Sequence, residues 1–207
     1  AETNQEACDL HIQAYRLSED PNILLPAMVC MDGYLLTHAA EVVDIPEEEA
    51  VARFLPPYKP VFKLDPDKPI TMGILAGPEH YMETRFAIHE TLTKDVLRLI
   101  PNVVDEFEKV FGRRSGGLVE GYRIEDAKEV IVAKGSVVGT IKEVVDEMRG
   151  EGKKVGILKI ITYRPFPGEA VYNSLKGIEG IGVLEKSISL GAGGPLYIDL
   201  KSVFQGR

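Results

Sequence analysis

From Ile124 onward, short apolar runs alternate with helical stretches, and this alternation limits the fold more than any other feature of the chain. Glu129 to Lys134 reads as a strand, Gly135-Ser136 turns the chain, and Val137 to Met148 has the spacing of a helix. Glu151-Gly152 leads into a second strand, Val155 to Ile161. Pro165 to Pro167 turns the chain into a helix at Glu169 to Leu175. A third strand follows at Gly180 to Glu185, then the glycine cluster Gly191 to Gly194. Leu196 to Phe204 suits a strand or a helix. Strands separated by helices cannot pair as hairpins, so the pattern predicts an α/β fold with a mostly parallel sheet covered on its faces.

The first half reads differently. Asn4 to Ser18 is predicted helical, with Ala7, Leu10, Ala14 and Leu17 near the 3.6 period and Asn4 as its cap. Ile23 to Met31 is a nearly continuous apolar run of strand length, which predicts a strand buried on both faces. A helix followed by such a strand is half of a βαβ unit, so the chain is expected to open on the last helix and strand of a domain. Pro46 followed by Glu47 to Glu49 marks the first turn of a short helix. Five prolines between Phe54 and Pro69 exclude a regular element there and predict an extended connector, with Tyr58, Phe62 and Leu64 as its apolar contacts. Glu79 to Phe111 is expected to be a long helix broken near Pro101, with Met82, Phe86, His89, Val96, Leu99 and Val103 at helical spacing and Gly112 to Gly117 as its stop.

Charge and composition narrow the function. The formal net charge is −8, which argues against a surface that tracks nucleic-acid phosphates. No apolar run approaches the roughly 20 residues of a membrane span, and a cytoplasmic setting is expected. The two cysteines, Cys8 and Cys30, are too few for a disulfide framework or a four-thiolate iron–sulfur site and read as reduced, buried thiols. Among the four histidines no pair sits at i, i+4, so no metal site is predicted.

Two loops are placed for binding. Gly135 and Ser136 follow a strand and precede a helix, where free amides can hold an anion, although neither phosphate-loop fingerprint is present. Gly191, Gly193 and Gly194 exceed what a simple turn needs, which leaves an anion contact, a partner contact or a close structural crossing. Asp32 and His38 lie in the loop after the Ile23 to Met31 run, at the end of a strand where ligands collect in parallel sheets. Glu185-Lys186 reads as an ion pair at an interface. Arg164-Pro165 reads as a carbonyl cap or a subunit bridge.

Four stretches give the chain a resemblance. They are the helix Asn4 to Asp20; Leu24 to Pro46, containing MDGYLLTHAAEV, followed by FLPPY; the strand, turn and helix around AKGSVVGTIKEVVDEMR; and YRPFP together with SLGAGGPL. In this order they resemble the alpha subunit of the pyruvate:ferredoxin oxidoreductases. The resemblance implies three parts: residues 1–45 as the end of the pyrimidine-side domain of a thiamine diphosphate enzyme, 46–123 as a connector with a long helix, and 124–207 as a three-layer domain of the transketolase C-terminal type. It implies thiamine diphosphate, Mg2+, iron–sulfur clusters and coenzyme A in the whole enzyme, with none expected on this chain alone. It also implies beta, gamma and delta-type subunits and ferredoxin as partners. The glutamate, threonine and arginine motifs of the family lie upstream of the segment matched by Ala1, and the family continues for some tens of residues beyond the segment matched here. No catalytic residue is therefore carried over, and an assembly role is expected. Pyruvate is the favoured substrate; 2-oxoglutarate, a branched-chain 2-oxo acid and a non-catalytic assembly module are the alternatives.

Overall fold

The computed structural model describes residues 1–73 and 75–206. Its sheet has four strands in the order β1-β3-β2-β4: β1 (Val119–Tyr122), β2 (Glu129–Ala133), β3 (Val155–Ile160) and β4 (Gly180–Val183). β2 pairs in parallel with β3 and with β4, and β1 joins the edge antiparallel to β3. The mostly parallel sheet agrees with the alternation of elements. It also begins earlier than Ile124, because β1 belongs to it. The VEGY segment has too little apolar alternation to announce a strand, and its partner β3 supplies the pairing from a distance in sequence.

Eight α-helices accompany this sheet among the described residues: α1 (Asn4–Ser18), α2 (Leu35–His38), α3 (Glu48–Phe54), α4 (Pro78–Glu90), α5 (Leu97–Phe111), α6 (Val137–Gly150), α7 (Gly168–Leu175) and α8 (Pro195–Phe204). Leu196 to Phe204 is thus resolved as helix, since Pro195 pre-sets the first turn. Side chains alternate across each strand. Val130, Val132, Leu158 and Ile160 meet α7 and α8 through Val171, Leu175, Leu196 and Leu200. On the other face, Ala133, Val155 and Ile157 meet α6 through Val138, Ile141 and Val145. A third cluster lies outside the sheet: Phe54 of α3 meets Phe107 of α5 edge-on at 5.5 Å, with Ile12 and Leu17 of α1 packed against them.

Several expectations are corrected. The helix cap is Thr3, whose hydroxyl accepts from the Glu6 amide, and not Asn4. Glu6 then stands at the third helical position where a capping glutamate belongs, one residue off the predicted register. Ile23 to Met31 is not a strand. Pro26 has no amide to donate, Leu24 takes φ 47°, and among the described residues no strand pairs with the run. Met28 is 89% exposed as a result. Tyr58, Phe62 and Leu64 are exposed and do not anchor the connector, which has no regular structure between α3 and α4 among the described residues. Met82 and Phe86 are exposed too, because α4 buries no residue against this chain.

The long helix does run from α4 into α5, and Gly112 stops it with φ 70°. Its irregularity is a π-helical turn at Thr91–Val96, upstream of Pro101. Pro101 itself lies inside α5, which continues through it without a break.

Candidate functional site

The loop candidates meet residues of their own chain. Asp32 Oδ1 accepts from the amides of Leu36 at 3.1 Å and Tyr34 at 3.3 Å, which holds the short α2 turn. The Ser136 hydroxyl holds the Asp32 carboxyl below the usual carboxylate range, with help from the backbone amides of α2. Asp32 and Ser136, singled out separately in the sequence, are therefore brought together at the start of α6. Gly135 takes φ 77° there, the left-handed turn that glycine permits. His38 is not part of this contact. It is exposed, stacks on Tyr34 at 5.6 Å and shares a 3.0 Å hydrogen bond between its Nδ1 and Thr37.

The glycine cluster has the same logic. Glu185 reaches the N-terminus of α8, where its two carboxylate oxygens accept from the amides of Leu196 at 3.1 Å and Tyr197 at 3.0 Å. The Ile198 amide bonds the Gly194 carbonyl, and Pro195 has no amide. The anion that this helix end favours is thus internal. A Cβ on Gly194 would collide with the Glu185 carboxylate, and one on Gly193 would press on the Tyr197 ring. Gly191 supplies a left-handed turn at φ 80°. Glu185 is a helix cap and not the partner of Lys186, a role visible only once the β4 end and α8 are neighbours. Arg164 donates to the Tyr163 carbonyl at 2.9 Å, stacks on the Tyr163 ring and pairs with Asp199 of α8 at 2.8 Å. The carbonyl-cap reading of Arg164 is the one the geometry supports.

The most concentrated polar site is one the sequence reading passed over. It lines a cavity of about 460 Å³ between α1 and the sheet. At its centre Lys159, only 5% exposed, rises from near the end of the buried strand β3. Its ammonium lies 2.7 Å from Glu2, 2.8 Å from Glu6 and 3.2 Å from Glu120. Lys142 of α6 shares Glu2 at 3.0 Å and Glu120 at 3.3 Å. Burial alone pulls an ammonium down, but the hydrogen bonds to Glu2 and Glu6 win, and Lys159 is held above the ordinary lysine value. Burial likewise works against the Glu2 carboxylate, and the bonds from Lys159 and Lys142 outweigh it, leaving Glu2 below its usual range.

The seam continues along the same face of α1. Arg113 forks onto Asp9, with Nη2 at 2.7 Å and Nε at 3.1 Å from the two carboxylate oxygens, and reaches Asp44 with Nη1 at 2.6 Å. Gln5 bonds both Asp9 and the Asp44 backbone. Gln13 donates to the Ser115 carbonyl at 3.0 Å. The buried stripe of α1 is therefore Glu6, Ala7, Asp9 and Gln13, and the expected apolar stripe of Leu10, Ala14 and Leu17 is only partly covered. The signal for it was present: Glu2, Glu6, Asp9 and Gln13 recur at one-turn spacing, and a lysine interrupts an apolar strand.

Chemically this arrangement binds its own parts. Every carboxylate and ammonium in it has a partner, and Lys159 is kept charged, so it offers neither a free amine nor a free base. Among the described residues no three His, Cys, Asp or Glu side chains converge as a metal site. Cys8 is half-buried and Cys30 is exposed, so the expectation of two buried thiols is corrected; both are free, and an iron–sulfur cluster takes four.

Two family models match the chain in order. Residues 1–100 match the thiamine diphosphate-binding part of the pyruvate flavodoxin/ferredoxin oxidoreductases, and residues 127–207 match the pyruvate:ferredoxin oxidoreductase core domain II. The chain belongs to the pyruvate:ferredoxin oxidoreductase family. It is 43% identical over 206 residues to the pyruvate synthase subunit PorA of Methanothermobacter thermautotrophicus, covering 100% of this chain and 53% of that protein. The PorA subunit of Methanocaldococcus jannaschii is 48% identical over 209 residues, covering 100% of this chain and 54% of its own length. The ketoisovalerate oxidoreductase subunit VorA of Pyrococcus horikoshii is 40% identical over 202 residues, covering 97% of this chain and 50% of its own length. The chain thus spans about half the length of the curated relatives it matches. Within this family frame the charged seam has a definite place: Glu2, Glu6 and Asp9 lie in the thiamine-binding match, and Lys159 and Lys142 lie in core domain II.

Proposed function

We propose that this chain is the part of a pyruvate:ferredoxin oxidoreductase alpha subunit that joins the thiamine-binding half to core domain II. The enzyme reaction is pyruvate, coenzyme A and two oxidised ferredoxins giving acetyl-CoA, carbon dioxide, two reduced ferredoxins and a proton. The observation that carries the reading is the collinear match of both family models. Thiamine diphosphate with Mg2+ would supply the carbanion chemistry, and iron–sulfur clusters the one-electron path, in the complete enzyme. The residues of this chain contribute by holding elements in place. Asp32 holds the α2 turn, Glu185 fixes α8, and the Lys159 seam fixes α1. Beta, gamma and delta-type subunits, ferredoxin and a cytoplasmic setting complete the proposal; no helix among the described residues is long and apolar enough to cross a membrane.

The test is turnover of the assembled enzyme purified with its partner subunits. Reduction of ferredoxin that requires pyruvate, coenzyme A and thiamine diphosphate is expected, with none from the 207-residue chain alone. Absence of 2-oxo-acid-dependent reduction in the complex, or turnover by this chain by itself, overturns the reading. The VorA relative supports a second substrate, a branched-chain 2-oxo acid. A kcat/KM panel of pyruvate, 2-oxoisovalerate and 2-oxoglutarate decides between them.

A further inference from the structure

We propose that Lys159 is a positioning residue: it sets the seat of α1, and with it the thiamine-binding part of the chain, on the sheet of core domain II. The identity of the two parts rests on the family reading above; the contact rests on geometry alone. All six residues of β3 are buried, and an apolar side chain at 159 would satisfy packing with no charge to desolvate. A lysine there brings directionality instead.

Its three carboxylate partners come from separate segments. Glu120 stands opposite Lys159 in the β1–β3 ladder and fixes the ammonium relative to the sheet. Glu2, just ahead of α1, and Glu6, within its first turns, reach the same ammonium from one side of the helix. A slip of α1 by one residue would turn it by roughly 100° and carry both carboxylates away from Lys159. An apolar stripe about 100° wide loses such contacts by degrees, whereas an ammonium between fixed carboxylates loses them within a few ångströms. Lys142 binds Glu2 and Glu120 at once, so α6 holds the same point. Further along α1, Asp9 on Arg113 and Gln13 on Ser115 keep the same face in register.

The experiment uses the complete subunit in its assembled enzyme, as wild type, Lys159→Arg, Lys159→Met and the double variant Lys159→Met with Glu6→Gln. Amide hydrogen exchange is followed over Asn4–Ser18 and, separately, over β2, β3 and β4, and steady-state turnover is followed with the preferred 2-oxo acid. Lys159→Met is expected to speed exchange across α1 by roughly ten-fold or more while the β2 and β4 amides keep their protection. It is expected to lower kcat with little change in KM. Lys159→Arg restores most of both losses, and the double variant recovers part of the α1 protection because one uncompensated carboxylate is gone. Should Lys159→Met fail to accumulate, Glu120→Gln gives the same pattern at smaller amplitude, roughly three-fold in exchange. The proposal is overturned if α1 exchange is unchanged, if α1 and the sheet loosen together, or if α1 loosens while kcat stays at the wild-type value. An enzyme that turns over no 2-oxo acid, yet shows the selective loosening of α1, upholds the seat and overturns only the functional reading.

Discussion

Helices α6 and α1 both lie against the same face of strand β3, and they hold it by opposite chemistry. α6 lays Val138, Ile141 and Val145 onto Val155 and Ile157. Two residues further along the strand, α1 brings Glu6 to Lys159, and beyond it Asp9 to Arg113. The apolar contact is strong but indifferent to small rotations and nearly indifferent to pH and salt. The ionic contact gains little net stability from being formed, because its charges had to leave water, but losing one partner leaves the others buried and unpaired. The difference teaches that the sheet owes its stability to the first kind of contact, whereas α1, packed on the α3–α5 cluster through Ile12 and Leu17, meets the sheet through the second.

Breaking the apolar side should have the largest effect. Leu158 is fully buried between α7 and α8 on the opposite face. Leu158→Ala is expected to cost about 4 kcal/mol of global stability, measured by denaturant unfolding, with the same loss at low and high salt. The seam should answer differently. Arg113→Ala strands the Asp9 carboxylate, which is 1% exposed, and is expected to cost about 3 kcal/mol, at the lower end for a buried pair because Arg113 itself is a quarter exposed. Its loss should show first as faster exchange across α1. A loss confined to the sheet would show that the two contacts are not separate.

Acid distinguishes the two contacts without a mutation. The Glu2 carboxyl is held below its usual range by Lys159 and Lys142 against the cost of burial. A lowered folded pKa contributes stability that is present above the unfolded value, roughly 4.3, and is lost as pH falls through the folded value. Glu6, Asp9 and Asp44 on the α1 side and Glu120 on the sheet side face the same lysines and arginine. Exchange across α1 is therefore expected to rise as pH drops below roughly 4.3 while the amides of β2 and β3 stay protected. Simultaneous loss of both would mean that α1 and the sheet unfold as one unit.

The same division explains what could be read in the sequence. The apolar side was legible because Val130, Val132, Val138, Ile141, Val145 and Leu158 repeat with the period of their own element, and periodicity is local. The strand β1 was not, because its place is assigned by β3 more than thirty residues away. The Ile23 to Met31 run was misread since its apolar content suited a strand while Pro26 denied it one. Asp32, Gly135, Ser136 and the glycines of 191–194 stand out in the sequence as loop residues, but the groups that meet them do not: the Leu36 amide for Asp32, and Glu185 for the α8 amides. The carboxylate stripe of α1 was written in the spacing of Glu2, Glu6, Asp9 and Gln13. A search tuned to apolar faces reads such a stripe as the solvent side.

A helix cap tests a smaller version of the comparison. Glu185→Ala removes the carboxylate from the Leu196 and Tyr197 amides and is expected to cost about 1 kcal/mol, read as a fall in the unfolding midpoint. The sheet should stay folded, because Leu196 and Leu200 remain in the core.

The smallest effect is expected next door to one of the largest. Arg113 and Arg114 are consecutive and carry the same guanidinium, and nothing in their immediate sequence separates them. Arg113 lies against a buried carboxylate. Arg114 pairs with Asp105 at 2.9 Å and Glu108 at 2.6 Å, but its side chain is 57% exposed and both partners are similarly open to water. Water competes for all three charges, and holding three flexible side chains together costs entropy, so Arg114→Ala should change stability by no more than about 0.5 kcal/mol. Raising the salt concentration should shrink even that, because exposed pairs are screened. If Arg114→Ala instead costs as much as Arg113→Ala, burial is not what separates the two arginines, and the distinction between a placing contact and a surface contact fails at the point where it is sharpest.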